Sequence, residues 1–136
     1  MKILLAIASP FFAFATMAAP SVVGTWMTDC TPSDLNTSQT IQHTFYPENG
    51  RLLTRHAIYG GQNCVLPLQA VLTQGRYKVG GEFGEGWVLD LENERGERSH
   101  TIFQIEGDDL FFGAGSAQSE DRPDELNLDV PFRRKQ

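Results

Sequence analysis

Thr40-Ile41-Gln42-His43-Thr44-Phe45-Tyr46-Pro47-Glu48-Asn49-Gly50-Arg51-Leu52-Leu53-Thr54-Arg55-His56-Ala57-Ile58-Tyr59 decides the fold class. Ile41, His43 and Phe45 fall on one face of an alternating run, and Leu52, Thr54, His56 and Ile58 fall on one face of the next. Between the two runs stands Asn49-Gly50, a pair that accepts the positive φ of a tight hairpin turn. A helical face would need apolar residues three and four apart, so the pattern predicts two half-buried antiparallel strands.

The same period continues in both directions. Upstream, residues 22–28 read as a strand, followed by a polar link over 31–37 with room for a short helical turn. Downstream, Gly60-Gly61-Gln62-Asn63 reverses the chain into Cys64-Val65-Leu66, and Pro67 marks a bulge, an edge or an interruption before 68–72. Gln74-Gly75 reads as a turn ahead of a strand over 76–81, with Tyr77 and Val79 together. Gly80, Gly81, Gly84 and Gly86 read as a corner or bulged hairpin before Trp87, Leu89 and Leu91, which share a face. Thr101, Phe103 and Ile105 alternate next, and Leu110-Phe111-Phe112 follows the turn at Glu106-Gly107-Asp108-Asp109. Residues 113–125 read as a mobile polar loop, and Leu126, Leu128, Val130 and Phe132 as a final half-buried strand. Eight or nine strands in a chain of 136 residues must curl or split, because a flat sheet leaves its edges and one apolar face uncovered. The expectation is an all-β domain, a small antiparallel eight- or nine-stranded up-and-down barrel, with a two-sheet sandwich as the alternative.

The first residues carry one positive charge at Lys2, then an apolar stretch ending in small residues, the layout of a secretory signal. Residues 1–18 are read as that signal and 19–136 as one domain; Ala18 is the preferred cleavage position over Ala15 and Ala19. No later stretch approaches the roughly 20 apolar residues of a spanning helix, so stable membrane insertion is not expected. The chain has 11 Lys and Arg against 17 Asp and Glu, a net charge of -6 that becomes more negative once Lys2 leaves. Such a surface repels phosphate backbones, which argues against nucleic acid as a partner. Cys30 and Cys64 are the 2 cysteines, and a lone pair in an exported chain predicts a disulfide. The predicted location is the periplasm or the external medium.

Gly24-Thr25-Trp26, opening the first strand of such a domain, resembles the G-x-W signature of the lipocalin and fatty-acid-binding-protein group, the calycins. The resemblance implies that Trp26 closes the base of the barrel and that Arg133 or Arg134, beyond the last strand, packs across it. It also implies a ligand space inside, although Phe, Leu and Trp crowd the inward positions and predict a small one.

Catalytic chemistry finds little support. Ser99 and His100 are adjacent on a strand and therefore point to opposite faces, and no G-x-S-x-G elbow occurs. His43, His56 and His100 lie on separate strands without the spacing of a zinc site. Asp90 and Glu92 share the face opposite Leu89 and Leu91 and read as solvated carboxylates, not a glycosidase pair. No enzymatic activity, cofactor or metal is therefore expected. The preferred reading is a non-enzymatic binding protein that holds a small apolar ligand in or at the mouth of the barrel. The alternative is an interaction or inhibitor domain that presents its loops to an envelope or secreted protein. Tyr59, Phe111 and Arg122 are the candidate binding rim, with Arg122 either pinning the 113–125 loop or meeting a partner.

Overall fold

In the computed structural model, which describes residues 18–136, the alternation becomes nine strands: β1 (Gly24–Thr28), β2 (Thr31–Pro32), β3 (Thr37–Phe45), β4 (Arg51–Gly60), β5 (Leu66–Phe83), β6 (Gly86–Asn93), β7 (Arg98–Glu106), β8 (Asp109–Phe112) and β9 (Phe132–Arg134). The signal expected at residues 1–18 lies, but for Ala18, outside the described residues. All pairings are antiparallel; β3 to β9 follow one another round the wall, and β1 joins β9 to β3. The result is a closed eight-stranded barrel, with β2 as an extra strand on the rim of β3. Closure removes the edges that an open sheet would leave.

Asn49 and Gly50 both take left-handed φ, 59° and 60°, and set Phe45 opposite Leu52 and His43 opposite Thr54. Because cross-strand partners share a face, the register carries the inward set round the barrel. Trp26 adjoins His43, Val79 adjoins Leu89, and Trp87 adjoins Phe103. Trp26, Phe45, Leu89, Phe103 and Leu110 are buried almost completely. Each contributes on the order of 2 kcal/mol by leaving water.

Two sequence expectations require correction. Gln74-Gly75 is not a turn: β5 runs through it unbroken for 18 residues and changes neighbours there, pairing with β4 up to Arg76 and with β6 from Gly75 onward. The glycine is needed because a Cβ at position 75 would collide with the Glu92 carbonyl oxygen. The strand expected over 126–132 is also absent. Only Phe132–Arg134 pairs, while Leu128 and Val130 remain exposed on a segment that wraps the outside.

The bridge between Cys30 and Cys64 is present, with a Cα–Cα distance of 5.9 Å and a sequence separation of 34. It ties the β1–β2 link to the β4–β5 turn, where the Cys64 N–H donates to the buried Ser38 Oγ at 2.9 Å. Loop-entropy reasoning assigns such a ring about 4 kcal/mol.

Candidate functional site

The interior opens where β5 and β6 part. Asn93 is the last residue of β6 opposite Gly75, so from Gln74 backwards β5 has no neighbour on that side. Behind this gap lies a cavity of about 300 Å³ lined by Leu52, Thr54, Thr73, Leu91 and Ser99, with His43 at its base. A second cavity of about 160 Å³ shares His43, Leu52, Leu91 and Ser99 and extends inward to Phe45 and Phe112. Glu92, Glu97 and Arg98 stand at the mouth. Two larger depressions, about 680 and 580 Å³, run along Arg76 and Glu92 on the outer wall and are lined mostly by charged and polar side chains.

His43 is the polar side chain shared by both spaces that packs among aromatic rings. Its ring stacks on Phe132 at 5.1 Å and meets the edge of Phe112 at 5.8 Å, with Phe45 tilted at 6.0 Å. Nδ1 lies 2.8 Å from Thr54 Oγ1. Nε2 makes no hydrogen bond among the described residues, yet no fully buried side-chain nitrogen or oxygen there lacks a partner. Nε2 is therefore reached from the cavity. Burial among these rings lowers the His43 pKa to about 4. At neutral pH the ring is uncharged and offers a hydrogen bond, not a charge.

The opposite end is plugged. The Trp26 indole N–H donates to Val22 O at 2.9 Å, and the Arg134 guanidinium stands 4.1 Å from the Trp26 ring centre. Of the two candidate arginines, Arg134 is thus the one across the tryptophan. Arg133 points outward to Asp29 at 3.1 Å and Asp109 at 3.0 Å.

On the outer wall, residues 113–131 are fastened to the barrel. His100 and Ser116 exchange backbone hydrogen bonds. Arg122 donates to Thr101 O and Asp90 Oδ1, both at 2.7 Å, and His100 Nδ1 also lies 2.7 Å from Asp90. Partial burial raises the Asp90 pKa, but hydrogen bonds and charge from His100 and Arg122 outweigh it and hold the carboxyl below its ordinary value. Asp90 is therefore a buttressed anchor, a correction to its reading as a freely solvated acid.

The three candidate rim residues do not converge. Tyr59 sits opposite Ser38 and Pro67 on the β4 wall, Phe111 is buried opposite Gln104 on β7, and Arg122 is clamped over β6 and β7. Ser99 faces the cavity while His100 faces outward. His56 bonds Gln39 at 2.7 Å, and no metal-binding group of three histidines, cysteines or carboxylates occurs among the described residues. The cavity itself had no sequence signal beyond the inward position of His43. No helix among the described residues is long and apolar enough to cross a membrane. Comparison with known proteins finds no family model that matches the chain and no curated protein that matches its sequence.

Proposed function

We propose that this is an exported, non-enzymatic binding protein of lipocalin-like type that holds a small, mainly apolar and uncharged molecule in the barrel. The observation that carries this reading is the cavity of about 300 Å³ lined by Leu52 and Leu91, continued inward by a smaller one that reaches Phe45 and Phe112, with one ring nitrogen, His43 Nε2, left without a hydrogen bond among the described residues. Ligand pockets are typically about 300–1,000 Å³ and mostly apolar, with a few polar groups to fix orientation. This one lies at the small end, and Arg98 is the cationic side chain among the described residues that line it. An apolar body against Leu52, Leu91 and Phe112, with one hydrogen-bonding group directed at His43, fits that lining. The Trp26–Arg134 plug supports the calycin-like reading, and the disulfide fits an oxidising location.

Titration of the solvent-extracted protein with a neutral fluorescent naphthylamine tests the proposal. Saturable binding of one probe per chain is expected, lost in Ser99→Phe, whose side chain fills the cavity. Unsaturable binding, or binding indifferent to that substitution, overturns it. A second reading, contact with a protein partner through the 113–131 segment, is favoured by one observation: Arg122 holds that segment in a single arrangement, the preorganisation that lowers the cost of association.

A further inference from the structure

Between Leu66 and Gln74, β5 has β4 on one side and, among the described residues, no strand on the other. In an antiparallel ladder the N–H and C=O of one residue point to the same neighbour, and successive residues alternate. The Tyr77 N–H donates to Gly50 O on the β4 side, whereas the Gln74 N–H donates at 2.6 Å to Glu94 Oε1, beyond the end of β6. Odd-numbered positions therefore serve β4, while Ala70 and Leu72 turn both backbone groups outward. Glu94 closes the edge at Gln74; among the described residues nothing closes it at Ala70 or Leu72.

The side chains on this edge are equally uncovered. Leu66, Leu68 and Leu72 are 63%, 59% and 61% exposed and Val71 is 42% exposed. Natural sheets guard such an edge with charges, and residues 65–75 contain none. An open apolar edge is a template for strand addition.

We infer that the occupant is a second copy of this chain, with the two β5 strands paired antiparallel across a two-fold axis at Val71. The sequence Gln69-Ala70-Val71-Leu72-Thr73 reads polar, apolar, apolar, apolar, polar in both directions. A two-fold at its centre therefore sets Ala70 of each copy against Leu72 of the other, outward-turned backbone meeting outward-turned backbone. Val71 meets its own counterpart. Two-fold interfaces require this self-complementarity. Charge argues the same way: copies with a net charge of -6 repel each other, and this neutral stretch lets them approach without opposing like charges. A charged peptide from another protein would instead set its charges against the leucines. The product is one sheet running through two barrels, and its seam lies beside the gap through which the cavity opens.

Sedimentation velocity of the disulfide-bonded protein, from micromolar to about millimolar concentration, tests this. A reversible monomer–dimer equilibrium is expected. Ala70→Pro should raise the dissociation constant at least tenfold while the melting temperature holds, because the Ala70 N–H makes no bond to β4 and edge positions tolerate proline. Leu72→Lys, which puts a charge at the pairing edge, should do the same and serves if the proline variant fails to fold. A single-chain mass at every concentration overturns the inference, as does a dimer that survives in either folded variant. Probe binding in the cavity is measured separately, on the monomer, so that failure of one reading does not decide the other.

Discussion

Acidification destabilises this barrel through His43, by an amount that follows from its burial. Packing among Phe45, Phe112 and Phe132 lowers the imidazole pKa from 6.5 to about 4. In the unfolded chain the same ring meets water and protonates near 6.5. Above that pH both states carry a neutral ring, and His43 adds no pH dependence. Between 6.5 and about 4 the unfolded state binds a proton that the folded state refuses, so stability falls as pH falls. At about 1.4 kcal/mol per pH unit the full interval amounts to about 3 kcal/mol, most of which is lost by pH 4.5. Urea unfolding at pH 7, 5.5 and 4.5 measures it, with His43→Gln as the reference, since that side chain fills similar space without titrating. Subtracting the two curves removes the carboxylates, which act at lower pH. A difference curve flat to within about 0.5 kcal/mol across this range refutes the picture of a neutral, desolvated histidine at the base of the cavity.

Arg134→Ala should cost about 1 kcal/mol or more by losing the cation over Trp26, whereas Arg133→Ala, whose ion pairs are screened by solvent, should cost clearly less; chemical denaturation of both variants separates them. Equal effects would mean that the stacking contributes nothing particular. Arg122→Ala should raise amide exchange across residues 113–131 and destabilise the fold by about 2 kcal/mol, because the Thr101 carbonyl loses its donor and Asp90 keeps only His100. Exchange confined to its wild-type level would show that the segment is held elsewhere.

The sequence was most readable where one physical demand dominates. Period-two alternation through Ile41, His43 and Phe45, with Asn49-Gly50 after it, has one structural solution, and the hairpin forms in that register. Gly75 is ambiguous because glycine serves both turns and close backbone approach, and only the position of the Glu92 carbonyl decides between them. Leu126, Leu128 and Val130 alternate like a strand, but β8 finds its neighbour in Phe132–Arg134, and the alternating stretch makes single bonds to Phe112 and Glu85 without forming a ladder. Choosing between Arg133 and Arg134 needed the register, since adjacent strand residues face opposite ways. The shared face of His43 with Ile41 and Phe45 was legible; the cavity was not, because it arises where β5 and β6 part, a long-range feature of the wall.

The barrel closes where β9, a strand of three residues, slots between β8 and β1. From β3 to β8 each strand pairs with its successor in the chain, so these hairpins assemble from local contacts as they are made. The β1–β9 seam instead joins the two ends of the described chain, and such distant contacts carry the greatest loop-closure cost and form slowly. Phe132–Arg134 therefore acts as a latch that engages last and, being short, releases first. Until it engages, the chain is an open sheet whose apolar interior and free edges are accessible to other chains. Loss of Phe132–Arg134 would thus leave nearly all the local pairings possible while making the protein prone to aggregate as it folds.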